Sequence, residues 1–241
     1  MSGVIITGGA MGLGRAVAEE QISRGIKVGL IDRDLATVQA TAEEIGAAFA
    51  AADVTKPEEL VSAMASLADT LGEVRGLVNS AGITRPGPSH SLPIDDWKTV
   101  IDIDLSGTFY ACQAVYPHLA RGSSIVNIAS IMATRMLPGR AAYSAAKAGV
   151  VGLTRLLAVE WAPQGIRVNA VGPAWVQTAL VLELFEKGLL DKAELEAKMP
   201  AGHLPTPVDV ARTVSYLLDD QASSFVSGQT IYVDSGYLFA G

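Results

Sequence analysis

Val4-Ile5-Ile6-Thr7-Gly8-Gly9-Ala10-Met11-Gly12-Leu13-Gly14-Arg15 is the stretch that decides the fold. A short β-branched run breaks into a glycine cluster, and a helical pattern follows at once. Glycines permit a tight turn and let backbone N–H groups approach a pyrophosphate. The N-terminus of the next helix favours the negative charge. A glycine cluster alone is a weak signal; between a first strand and a first helix it is much stronger. Gly8, Met11, Gly12, Leu13 and Gly14 are therefore candidate cofactor-binding residues.

Outward from this turn, short apolar runs alternate with longer helical patterns. The further runs are Lys27–Ile31, Ala47–Ala52, Leu77–Asn79, Ser124–Ile128, Arg167–Val171 and Thr230–Val233. Strands separated by helices of this length imply parallel β-α-β crossovers. Runs apolar on both faces fit a sheet covered on both sides. The expectation is an α/β fold: a Rossmann-type, doubly wound parallel sheet of about seven strands. Thr55-Lys56-Pro57-Glu58 reads as a capping box with an early proline. Ala141 to Trp161 is alanine-rich and helical. Thr178 to Lys198 belongs to no strand; Leu180, Val181, Leu184, Phe185, Leu189 and Leu190 make it amphipathic. It reads as a helical substrate lid at about 178–205, or equally as a packed surface helix pair.

With 241 residues and no interrupting linker, the expectation is one catalytic domain over 1–241. The formal charge of −7 and the lack of a basic run argue against a nucleic-acid or acidic-membrane partner. No apolar segment has the length of a membrane span. Cys112 is the single cysteine, so no disulfide forms within the chain, which fits a reducing, cytoplasmic setting. His90, His118 and His203 show no metal-ligand spacing, and no metal is expected.

The second strand ends Gly29-Leu30-Ile31-Asp32. A carboxylate there can accept hydrogen bonds from adenosine ribose hydroxyls and repels a 2′-phosphate, which favours NAD over NADP. Arg33 is a complication, since a guanidinium can pair with that phosphate. Asp34 is better placed than Asp32 to cap the next helix. Asp53 and Val54 close the third strand, where an adenine could rest. Asn79, Ala81 and Gly82 close the fourth. All sit at carboxyl ends of consecutive strands, the edge at which open α/β sheets bind ligands.

Tyr143 and Lys147 lie four apart and share a helix face. A phenol, with a free pKa near ~10, is a poor base at neutral pH. A neighbouring ammonium favours the phenolate, which can then exchange a proton with an alcohol or carbonyl oxygen. Such a pair is common by chance on helices. Here the strand Ser124–Ile128 ends in Ala129-Ser130, which places a hydroxyl at the same sheet edge.

Together these residues resemble the short-chain dehydrogenase/reductase family. Thr7, Gly8, Gly12 and Gly14 match its glycine pattern, Asn79, Ala81 and Gly82 its Asn-Asn-Ala-Gly-like element, and Ser130, Tyr143 and Lys147 its catalytic set. The resemblance covers nearly the whole chain. It implies that Tyr143 is the general acid/base and that Ser130 hydrogen-bonds the reacting oxygen. Lys147 would hold the nicotinamide ribose and tune the tyrosine. Val176 and Thr178 match positions that meet the nicotinamide carboxamide. The resemblance also implies a homotetramer. Ser130, Met132, Tyr143 and Trp175 are the candidate substrate contacts, and a moderately hydrophobic secondary alcohol or ketone fits them.

Three positions depart from the family. Asp104 stands where an asparagine is usual, in Asp102-Ile103-Asp104-Leu105-Ser106-Gly107. The family's residue holds a relay water on its backbone carbonyl, so Asp104 joins the candidate catalytic set, with its carboxylate able to act on Lys147 or to be a capping bystander. Ala174 and Ser235 replace glycines. The leading expectation is an NAD-dependent alcohol dehydrogenase or ketone reductase acting on a small molecule. An NADP-dependent carbonyl or 3-oxoacyl reductase and a catalytically silent NAD-sensing regulator are the alternatives. Arg135 and Arg140 could reach a substrate anion or be structural.

Overall fold

The computed structural model describes residues 3–240. Seven strands form one parallel sheet in the order β3-β2-β1-β4-β5-β6-β7. They are β1 (Gly3–Thr7), β2 (Lys27–Asp32), β3 (Ala48–Ala51), β4 (Val74–Asn79), β5 (Leu119–Ile128), β6 (Arg167–Pro173) and β7 (Thr230–Val233). The chain winds outward from β1 to β3, then returns to place β4 on the other side of β1. That reversal opens the crevice in which such sheets bind ligands.

Register explains why distant sequence segments meet. Thr7 pairs with Ile31 on one side and Asn79 on the other, Asn79 with Asn127, and Asn127 with Ala170. The residues just beyond this row, Gly8, Asp32, Ser80, Ile128 and Val171, therefore stand along one edge.

Side chains alternate faces along each strand. Ile5, Ile31, Leu77 and Ile125 enter one buried cluster, beneath α3 (Pro57–Leu71), α5 (Gly107–Val115) and α6 (Ala141–Glu160). Val4, Ile6, Leu30, Val78 and Val126 enter the other, beneath α1 (Gly12–Ser23), α2 (Leu35–Ile45) and α9 (Pro207–Leu218). Strands buried on both faces need apolar residues at nearly every position, which is why they read as unbroken runs.

Helix starts follow the expected chemistry with one correction. Asp34 caps α2, accepting from the Thr37 N–H at 2.7 Å. The capping box expected at Thr55 does not form. Helix α3 begins at Pro57 with Lys56 as an N-cap that makes no side-chain bond. Asp53 takes both the N–H and the hydroxyl of Thr55, at 2.9 and 2.8 Å, so the threonine is spent on a turn before it can cap.

The segment beyond β6 forms two short helices, α7 (Ala179–Glu186) and α8 (Lys192–Ala197), followed by irregular chain up to α9. Phe185, Leu195 and Met199 pack inward, but Leu180 and Leu189 remain 65% and 67% exposed. The amphipathic pattern thus overstated how much of this segment is covered.

Candidate active site

The glycine turn is built by close backbone approach. A Cβ at Gly14 would stand 2.1 Å from the Gly8 carbonyl oxygen, and one at Gly8, where φ is +62°, would stand 2.7 Å from the Ala81 backbone. Gly12 also has positive φ, +58°, but a Cβ there meets nothing within 4 Å among the described residues. Met11, the N-cap of α1, makes no side-chain cap and no acidic residue lies in the first turn. The leading amides of α1 therefore carry uncompensated positive character beside an open glycine surface. This cradle fits a dinucleotide pyrophosphate. Gly14→Ala should cost about 3 kcal/mol of stability, as overpacking against rigid backbone does. Chemical denaturation of the variant checks it, and an unchanged midpoint would mean that the turn yields freely.

Asp32 is pinned at the end of β2. Its two carboxylate oxygens accept from the Ala10 N–H at 3.3 Å and the Arg33 N–H at 2.8 Å. Ala10 is held in turn by the Thr41 hydroxyl, which donates to its carbonyl at 2.9 Å. Glycine turn and acidic residue are thus one rigid unit. Arg15, the cation nearest the turn in sequence, is drawn to Glu19 and Glu44, and these partners raise its pKa still further.

Asp53 is occupied with Thr55, and Val54 is buried beneath α5. The Asn79 side chain turns inward, donating to Asn127 Oδ1 at 2.9 Å and to Cys112 Sγ at 3.2 Å. Asn127 passes the network to Thr154 at 2.9 Å. This core network ties β4, β5 and α6 together, and no local pattern in the sequence marked it. Burial holds the Cys112 thiol up at about 12, the Asn79 contact opposing only in part, so it is an inert core group.

Ser130 begins a 3-10 turn, Ile131–Ala133, with Oγ accepting from the Met132 N–H at 3.1 Å. Its own O–H remains to be donated. Tyr143 and Lys147 lie on the first turns of α6. The Lys147 ammonium is 5.5 Å from the centre of the Tyr143 ring and donates to the Ile128 carbonyl at 2.9 Å.

Asp104 is completely buried, on a π-helical turn (Asp102–Ser106) between α4 (Ile94–Ile101) and α5. One carboxylate oxygen accepts from the Ile83 N–H at 2.8 Å. The other lies 3.2 Å from Lys147 Nζ, close enough for an ion pair but off the line of an aligned hydrogen bond. Its carbonyl accepts from the Thr108 hydroxyl at 2.8 Å. Asp104 is therefore no surface cap. Burial acts to lower the Lys147 pKa, but the charge of Asp104, aided by Tyr143, outweighs it, and the lysine is held above its ordinary value. Gly82 lies over the pair, where a Cβ would stand 3.0 Å from Asp104 Oδ2 and 3.3 Å from Nζ.

Val176 is buried and its carbonyl accepts from the Thr178 N–H at 2.7 Å; Thr178 is the N-cap of α7. Trp175 packs edge-on against Tyr237, their ring centres 5.1 Å apart, and both join Ile131, Met132, Phe185 and Met199 in one cluster. This cluster carries the Ser130 turn on one side and the α7–α8 segment on the other. Tyr237 was not foreseen, since nothing local distinguishes it. Arg135 donates to the Tyr237 carbonyl at 3.0 Å and lies over its ring, fastening the C-terminal segment. Arg140 donates to Thr84 at 3.1 Å. Ser235 has φ +49°, the left-handed conformation that makes glycine usual there.

Residues 8–238 match a family model described as enoyl-(acyl carrier protein) reductase. The chain is 40% identical to a hydroxy(phenyl)methylsuccinyl-CoA dehydrogenase subunit of Thauera aromatica, covering 98% of this chain and 97% of that protein. It is 35% identical to a cyclohexanol dehydrogenase of an Acinetobacter species, over 97% and 93% of the two chains. The solved structure of Thermoplasma acidophilum aldohexose dehydrogenase superposes with a TM-score of 0.91 at 32% identity, covering 100% of this chain and 95% of that one. With a doubly wound sheet, a glycine cradle and a Ser–Tyr–Lys set at one edge, the chain belongs to the short-chain dehydrogenase/reductase family and is an oxidoreductase acting on CH–OH groups.

Proposed function

We propose that this is an NAD-dependent dehydrogenase of secondary alcohols, working reversibly as a ketone reductase. The observation that carries the cofactor choice is the pinned Asp32 carboxylate beside the glycine turn. With its oxygens fixed by Ala10 and Arg33 amides, it stands ready to accept ribose hydroxyls and to repel a 2′-phosphate. Gly8, Met11, Gly12, Leu13 and Gly14 would hold the pyrophosphate. Asp53 and Val54 would border the adenine, Asn79, Ala81 and Gly82 would lie near the dinucleotide, and Val176 and Thr178 would meet the carboxamide. NAD supplies the hydride acceptor when bound.

The chain handles the proton. The Tyr143 hydroxyl takes it from the substrate alcohol, or gives it to a ketone oxygen. Ser130 donates its free O–H to that same oxygen. Lys147 has three N–H donors; Ile128 takes one, Asp104 lies beside a second, and a third serves the nicotinamide ribose. Met132 and Trp175 would line an apolar substrate pocket, and 178–205 would act as its lid over one catalytic domain. Exposed Phe109, Leu156 and Val159 on α5 and α6, and Phe239 near the C-terminus, support a homotetramer. The buried, unpaired Cys112 supports a cytoplasmic setting.

Two measurements test this reading. In a screen of cyclic, aromatic, polyol and hydroxy-acid secondary alcohols, NADH absorbance should appear for at least one class. With that substrate, kcat/KM should favour NAD over NADP by about 100-fold, the yield of roughly 3 kcal/mol of charge discrimination. A preference for NADP would overturn the cofactor assignment. Asp32→Ala should narrow the ratio to within about tenfold by removing the repulsion.

A further inference from the structure

We propose that Asp104 is a positioning residue that sets the pH window of proton transfer at Tyr143, by compensating the Lys147 charge from inside the protein. The inference rests on the reading of Tyr143 as the acid/base. Its ground is the geometry: a fully buried carboxylate, 3.2 Å from a buried ammonium, which is itself 5.5 Å from the phenol ring.

A lone ammonium would stabilise the phenolate at full strength. A carboxylate at contact distance turns that single charge into a short dipole, whose field falls off faster with distance. The ammonium therefore acts on the phenol less strongly than an uncompensated lysine would. The other charged groups on the neighbouring elements are exposed or engaged elsewhere. Asp102, on the same turn, is exposed, as are Asp95 and Lys98 on α4, while Asp96 is paired with Arg85. Arg140, at the start of α6, turns to Thr84. Neither α5 nor the Gly82–Ile83 segment carries a charged side chain. Among the acidic groups of the described residues, compensation at Lys147 thus comes from Asp104 alone.

Asp104→Asn removes the charge and keeps an oxygen for the Ile83 N–H. The acid limb of the kcat/KM profile for alcohol oxidation should move about one pH unit lower. The basic limb should follow, because Lys147 loses the partner that opposes its desolvation. A second readout needs neither cofactor nor substrate: the near-ultraviolet phenolate absorbance of each enzyme, less that of the same protein carrying Tyr143→Phe. Its midpoint should fall by a similar amount in Asp104→Asn. Asp104→Ser, a smaller neutral variant, should shift it in the same direction and serves if the asparagine protein does not fold.

A purely structural Asp104 would alter stability or cofactor affinity and leave both midpoints in place; parental midpoints in the folded neutral variants overturn the proposal. If Tyr143→Phe keeps its turnover, the acid/base reading itself fails. If Tyr143→Phe is inactive and Asp104→Asn titrates as the parent, only the role given to Asp104 falls.

Discussion

Replacing Tyr143 with phenylalanine should lower kcat about 10³-fold, within the range general acid–base catalysis contributes, while the dissociation constant for NADH stays nearly unchanged. The loss corresponds to roughly 4 kcal/mol of transition-state stabilisation. The separation follows from where the phenol sits. Its ring neighbours the Lys147 ammonium, but its hydroxyl makes no hydrogen bond within the described chain. Removing one oxygen thus takes away a proton carrier without disturbing Ile128, Asp104 or the helix. Ser130, which keeps its Met132 contact, would still orient the substrate oxygen and leave a residual rate. Single-turnover measurements and NADH fluorescence titration check the two halves of this expectation. Near-parental turnover would refute the acid/base role, whereas a large loss of NADH affinity would point to a structural defect.

The sheet was legible because each strand announces itself locally. Glycine turns, β-branched runs and acidic strand ends are neighbours in sequence, and parallel crossovers then fix which edge they share. Asp34 could be read as a cap for the same reason: the donor it satisfies is three residues away. Thr55 could not, because two partners competed for its side chain and the nearer carboxylate, Asp53, won. Sequence pattern ranks a capping box by spacing alone; it does not show that Asp53 takes both the N–H and the hydroxyl of Thr55.

The side chains proposed to meet the reactants were legible in the sequence, and what lies behind them was less so. Tyr143, Lys147 and Ser130 were found from spacing and order. The groups that hold Lys147 and Ser130, the Ile128 carbonyl and the Met132 amide, are backbone atoms, which carry no sequence signature. The Asn79–Asn127–Thr154 network joins residues 27 to 48 positions apart, and only the register of β4 against β5 brings them into contact. Trp175 pointed to the α7–α8 segment, but its partner Tyr237 lies far along the chain, so the cluster between Ser130 and that segment emerged only in three dimensions.

Cutting the buried ion pair from the lysine side should be the largest stability effect in the site. Lys147→Met leaves the Asp104 carboxylate fully buried with the Ile83 amide as its only remaining close donor among the described residues. Breaking one side of such a pair typically costs about 3–5 kcal/mol, because the surviving charge stays desolvated without compensation. For a chain of this size that is a fall in Tm on the order of 10 °C. The methionine adds apolar contact, but a side chain of similar length already fills the channel beside Ile128, so the gain is small against the stranded charge. The double variant Lys147→Met/Asp104→Asn should recover at least half of the loss, since no charge remains to be compensated. Thermal unfolding of the four proteins in the cycle measures this coupling directly. If Lys147→Met unfolds within a few degrees of the parent, or if the double variant is no better, then the pair adds no coupling to the fold. Recovery in the double variant, together with loss of turnover, would mean that the two charges are kept in the core for the reaction, since an uncharged pair would serve the fold as well.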